Sequence, residues 1–112
     1  MNVFCEKESN CTVVIPDGDL SAPDCDKFKD FLLNRIKDGM NHLLIDFSQV
    51  TYVDSSGISA LLSLLQAARK HGGDIRLSNI NNHVRDVLRQ VGLHHVFRRF
   101  ETRETGIASF FP

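Results

Sequence analysis

An α/β domain with a mixed central sheet is the fold class that the sequence predicts, and three observations predict it. Stretches of β-prone residues alternate with stretches whose apolar residues recur at helical spacing, in the order β-β-α-β-α-β-α-β-α. The run Leu43–Phe47 is apolar but for Asp46, which suits a central strand covered by helices on at least one face. The chain has 112 residues, 42% of them apolar, which is enough for one core and too few for two ordinary domains. A single domain over 1–112 is therefore expected, with its core over about 3–100 and a C-terminal helix over about 101–111. Its sheet should hold four to five strands, with about four helices mainly on one face.

The elements follow in order. Val3–Cys5 and Cys11–Ile15 are short β-prone runs around a polar turn, Glu6–Asn10, and read as a hairpin. Pro16-Asp17-Gly18-Asp19 should break the second strand. Ser21-Ala22-Pro23-Asp24 has the form of a capping box, with Ser21 as N-cap. Phe28, Phe31, Leu32 and Ile36 then lie at helical spacing until Gly39 stops the helix. After the strand at Leu43–Phe47, Ser48–Val53 is a connector. From Gly57 a well-buried helix carries Ile58, Leu61, Leu62, Leu65 and Ala68, and Gly72-Gly73 ends it. Asp74–Ser78 alternates polar and apolar and is a fourth strand. Asn79–Asn82 supplies a cap for a third helix with Val84, Val87, Leu88 and Val91. Leu93, Val96, Phe97 and Phe100 suggest a short last strand, and Ile107, Phe110 and Phe111 a terminal helix that docks back.

Composition narrows the function classes. The formal net charge is −1 with both signs interspersed, which speaks against direct nucleic-acid binding. No run of about 18 apolar residues is present and the N-terminus does not read as a signal peptide, so no membrane span and a cytoplasmic location are expected. Cys5, Cys11 and Cys25 form no C-x-x-C pair, and the five histidines have no metal-ligand spacing. Neither a metal nor a cofactor is expected, and with no coiled-coil seam a monomer is the default.

The most informative stretch is Asp54-Ser55-Ser56-Gly57, a loop that leaves a strand and enters a helix. In parallel sheets the loops at the carboxyl ends of strands carry the sites. Three roles suit it. Asp54, Ser55 or Ser56 caps the helix, with Gly57 allowing a sharp turn. A serine acts as nucleophile, although G-x-S-x-G is absent and one of His83, His94 or His95 would have to fold back as its base. Or a serine takes a regulatory phosphate, which a helix N-terminus tolerates. The residues alone leave these open.

Leu44-Ile-Asp-Phe-Ser-Gln-Val-Thr-Tyr-Val-Asp-Ser-Ser-Gly-Ile-Ser-Ala-Leu-Leu62 resembles the signature of STAS domains and, more narrowly, that of bacterial anti-sigma factor antagonists. Gly18-Asp19-Leu20-Ser21, Gly72–Leu77 and Val84–Leu93 keep the same register along the chain. The resemblance implies a regulatory binding protein with no enzymatic activity. The unphosphorylated form would bind an anti-sigma factor that is a serine kinase of the histidine-kinase-like ATPase fold, and so release a sigma factor. Phosphorylation of the serine after the loop acid would break that complex, and a PP2C-type phosphatase would restore it. That serine is Ser55, with Ser56 a secondary acceptor or cap. Asp19, Ser21, Asp54, Ser55, Ser56, Gly57 and Ile58 would form the partner surface. Asp46 matches a polar strand position near the loop. Ser21 stands where the family often has aspartate, so it either alters partner preference or is simply a cap. The alternative is a non-phosphorylated STAS scaffold in a transport or sensory complex.

Overall fold

The computed structural model describes residues 1–111. Its elements are β1 (Asn2–Lys7), β2 (Thr12–Asp17), α1 (Cys25–Lys37), β3 (His42–Asp46), α2 (Ser55–Lys70), β4 (Asp74–Ser78), α3 (Asn82–Gln90), β5 (Arg99–Phe100) and α4 (Arg103–Ala108). The expected order of strands and helices is the observed one. The five strands lie in the sheet in chain order. β1 and β2 pair antiparallel, and β2, β3, β4 and β5 pair parallel. A sheet that always grows in one direction through crossovers of one hand places the crossover helices on one face. Residues of α1, α2 and α3 accordingly share one core with Val14, Leu43, Ile45, Ile75 and Leu77. The short α4 covers the other face, where Ile107 and Phe110 pack on Val13, Ile15 and Leu44.

The two faces follow from the two-residue period of β3. Leu43, Ile45 and Phe47 point into the main core, and Leu44 and Asp46 point towards α4. α4 approaches the sheet closely at Gly106: a Cβ there would lie 2.7 Å from Leu44 Cδ1, so a larger residue would require the Leu44 side chain to shift.

Four expectations need correction. Pro16 does not break β2, which pairs with β1 as far as Asp17; Pro16 lies beyond the β2–β3 ladder, where a missing N–H is tolerated. α2 begins at Ser55, before Gly57, because Asp54 serves as its cap. The last strand is only Arg99–Phe100, since Leu93–Phe97 forms turns that bury Phe97 instead of extending the sheet. Phe111 is half exposed and does not dock, because α4 ends at Ala108.

Candidate functional site

The site lies at the carboxyl end of β3, where Ser48–Asp54 leads into α2. Asp54 takes an extended backbone, and its Oδ1 accepts the Gly57 N–H at 3.0 Å, an N-cap bond to the third helical residue. Its Oδ2 accepts the Ala22 N–H at 3.3 Å, so one carboxylate ties the helix start to the segment after β2. That segment is also held by its backbone. Leu20 and Val53 form a parallel bridge, with Leu20 N–H donating to Tyr52 C=O and Asp54 N–H to Leu20 C=O. The approach is close enough that a Cβ on Gly57 would meet the Leu20 carbonyl and lie 2.8 Å from Val53 Cγ1.

This arrangement separates the expected site residues. Ser55 occupies the first helical position and is exposed; Ser56 is half-buried. The first-turn N–H groups of both lack intrahelical partners, and the positive end of the helix dipole lies beside them. Asp54, and not Ser55 or Ser56, is the cap. Asp19 is exposed on the adjoining segment, where its Oδ1 accepts the Thr51 hydroxyl at 2.9 Å. Ile58, expected on the partner surface, is 7% exposed and packs in the main core. Gly57 is buried as well and acts through the close approach just described.

Ser21 is not the N-cap of α1. Its C=O accepts the N–H groups of Asp24 and Cys25, which closes a turn containing a cis Ala22–Pro23 bond, and α1 starts at Cys25 with no side-chain cap. The reason is tertiary: residues 20–22 are bonded to the Tyr52–Asp54 segment and so cannot join the helix. Asp46 is on the strand, as read, but faces away from the loop. Its side chain is 1% exposed on the opposite sheet face, accepting from Arg103 Nε at 2.7 Å, Ser48 N–H at 2.8 Å and Asn79 Nδ2 at 3.0 Å. Burial alone would raise its pKa, but the Ser48 N–H, the Asn79 amide and Arg103 outweigh that and hold it below the usual carboxylate range.

Asn81, the cap of α3, and His83, in its first turn, complete the site by reaching back to the connector. Asn81 caps α3 through the Val84 N–H at 2.8 Å, as the sequence suggested, and its Nδ2 also donates to the C=O groups of Val50 and Thr51, each at 3.2 Å. His83 Nε2 lies 3.3 Å from both Val53 N and Val53 O, and its ring stacks on Tyr52 at 5.0 Å and 17°. Tyr52 is thus held 47% exposed beside the loop. His83 does fold back, as a base for a serine would, but onto backbone; no described histidine hydrogen-bonds Ser55.

A shallow groove of about 270 Å³ opens between α1 and α2, lined by Asp26, Lys29, Ser55, Ser56, Ser59 and Ser63. Beneath the same region burial, and then the carboxylates of Asp54, Asp26 and Asp24, push the Cys25 thiol up to about 11, so it stays protonated. No described group of residues has the make-up of a metal site, and no helix is long and apolar enough to cross a membrane.

Comparison with known proteins matches this geometry to one fold. The chain is 21% identical over 110 residues to BtrV of Bordetella bronchiseptica, named as a candidate anti-sigma factor antagonist, covering 98% of this chain and 95% of that one. The crystal structure of a candidate anti-sigma factor antagonist of Thermotoga maritima, TM1081, superposes with a TM-score of 0.92 at 18% identity, covering 96% and 93% of the two chains. The anti-sigma factor antagonist SpoIIAA in unphosphorylated form gives 0.83 at 20% identity, covering 96% and 95%. The Bacillus SpoIIAA in phosphorylated form gives 0.75 at 20%, covering 96% and 98%. Residues 3–106 match the family model of the STAS domain, and the chain belongs to the STAS domain family.

Proposed function

We propose that this chain is an anti-sigma factor antagonist that works by partner switching. In its unphosphorylated form the surface around Asp19, Ser21, Asp54, Ser55 and Ser56, extended by Tyr52, binds a cytoplasmic anti-sigma factor that is a serine kinase of the histidine-kinase-like ATPase fold. That binding releases the sigma factor or other target. The kinase then phosphorylates Ser55: the Ser55 Oγ bonds to the γ-phosphorus of ATP, gives up its proton, and ADP leaves. A PP2C-type phosphatase hydrolyses the ester and resets the switch.

The observation that carries this reading is the exposure of the Ser55 hydroxyl at the first position of α2, while Asp54 and not Ser55 performs the cap. A phosphate there adds roughly −1.5 to −2 charges beside free N–H groups and a favourable dipole, so the fold keeps its caps and its core. Next to Asp54, the same charge and its hydration disrupt a partner surface fitted to a neutral hydroxyl. The names of the relatives, and the existence of SpoIIAA in phosphorylated and unphosphorylated forms, support the reading.

The test is incubation with the kinase encoded nearest to this protein's gene and ATP, followed by intact-mass and peptide mass spectrometry. One phosphate on Ser55 is expected, with Ser55→Ala still bound to the kinase and Ser55→Asp released. Equal binding by both variants overturns the switch. Absence of phosphate, with Ser55→Asp still bound to a partner, points instead to a non-phosphorylated scaffold.

A further inference from the structure

A second surface lies at the other edge of the sheet. Residues 82–112 carry five arginines against three acids, although the whole chain is one charge negative. Arg85, Arg89, Arg98 and Arg99 are exposed, and none forms an ion pair with a described residue. Arg99 lies in β5, Arg98 precedes it with its guanidinium over the Phe100 ring, and Arg85 reaches the same edge from α3. Arg85 and Arg99 line a groove of about 330 Å³ between α3 and β5, with Ile80 and Phe100 as its apolar part and Glu101 as its one acid. Burial first and then the charges of His95, Arg89 and Arg99 hold the His94 imidazole below the ordinary histidine range. Arginines that outnumber the acids around them, and that no ion pair with a described residue neutralises, create a local positive field that an acidic ligand meets.

The backbone beside this field is open. Among the described residues β5 is the last strand of the sheet, with β4 as its one neighbour. The C=O groups of Arg98 and Phe100 accept from Leu77 and Asn79 N–H, so they face β4. Strand alternation then turns the N–H and C=O of Arg99 outward, where another strand can pair with them. That feature selects for peptide: a nucleic acid or a lipid headgroup uses arginine charge but not an open strand edge.

We infer that the α3–β5 edge docks an extended acidic segment of a partner protein, its carboxylates on Arg85 and Arg99 and its main chain against β5. None of these residues lines the groove beside Ser55, so this surface is separate from the proposed switch.

The experiment is a titration of the isotope-labelled full chain with a short synthetic peptide alternating glutamate and valine, followed by amide NMR. A lysine–valine peptide and a single-stranded oligonucleotide of matched charge serve as comparisons. The acidic peptide should move the amides of Arg98–Glu101 and of α3, and the lysine peptide should not. Affinity should fall about tenfold or more in Arg85→Glu/Arg99→Glu, and also as salt rises. Arg85→Gln/Arg99→Gln should melt as the wild type does and still lose affinity, which separates docking from folding. The inference is overturned if the β5 amides do not move, if the glutamine variant binds as tightly as wild type, or if the oligonucleotide binds more tightly than the peptide. Ser55 phosphorylation is read separately by mass, so failure of either idea is distinguishable from failure of the other.

Discussion

Asp46 and Asp54 stand at the two ends of one eight-residue step between β3 and α2, and both accept a backbone N–H two or three residues ahead. There the likeness stops. Asp46 is buried under α4 and holds a guanidinium at 2.7 Å; Asp54 is half-buried at the surface and pairs with no cation among the described residues. The first carboxylate fastens one element to the sheet. The second orders a loop while leaving a hydroxyl and a negative charge facing outward. An acid with its charge satisfied internally serves the fold, whereas an acid satisfied only by N–H groups leaves a field for a partner to meet.

The largest effect that sharpens this contrast is expected at Gly57. Its Cβ would strike backbone, the Leu20 carbonyl, which cannot swing aside as a flexible side chain would. Gly57→Ala should destabilise by roughly 3 kcal/mol or more, at or above the upper end of overpacking costs, and should weaken kinase binding because the Leu20–Val53 bridge has to open. Urea unfolding with a kinase pull-down measures both. A stability within about 0.5 kcal/mol of wild type would mean that the bridge is not what holds the site together.

Next in size is Asp46→Ala. It leaves Arg103, the Asn79 amide and the Ser48 N–H without their acceptor. Breaking a buried pair costs about 3–5 kcal/mol, and partial exposure of Arg103 lowers the expectation here to about 2–3 kcal/mol. Partner binding should be unchanged, which is the contrast with Asp54. The pH dependence has a definite sign. The folded pKa of Asp46 lies below its unfolded value, so its contribution is complete above about pH 5 and is lost as the pH falls below about 4. Thermal melts of wild type and Asp46→Asn should therefore converge as the pH is lowered through that range.

How far these roles could be read from the sequence depends on the separation of the residues involved. The order of strands and helices was legible because hydrophobic period is local. The loop itself was legible because Asp54, Ser55, Ser56 and Gly57 are contiguous and sit at a strand-to-helix change. Arg103 as the partner of Asp46 was not, since 57 residues separate them. Asn81 and His83 reach the connector across about 30 residues, so the sequence offered the cap of α3 and a choice of three histidines that could fold back, but not which one does or that it meets backbone and Tyr52. Ser21 was misread because a capping-box pattern is local, while the bonds from residues 20–22 to Tyr52 and Asp54 are not. Pro16 was misread because its tolerance depends on where the β2–β3 ladder ends.

Asp54→Ala should cost about 1 kcal/mol, the usual loss for an N-cap, because the N–H groups of Gly57 and Ala22 near the surface can turn to water. Its effect on partner binding should exceed its effect on stability. Calorimetry against the kinase compares the two directly. A variant that loses stability but binds normally would make Asp54 a cap and nothing more.

The smallest stability change is expected at Ser55, and that is what makes it diagnostic. Its side chain is exposed, takes no part in the cap and lines only an open groove, so Ser55→Ala should melt within about 0.5 kcal/mol of wild type. Ser55→Asp should melt at least as high, since a carboxylate in the first turn of α2 meets the positive end of the dipole and is worth about 0.3–1 kcal/mol. The two variants therefore differ little as folded proteins and differ by one charge at the proposed contact surface. If kinase binding separates them while the melting temperatures do not, the loss cannot come from unfolding and must arise at the interface. If Ser55→Ala melts well below wild type, the hydroxyl holds the loop together after all, and the division between a structural Asp54 and a free Ser55 fails.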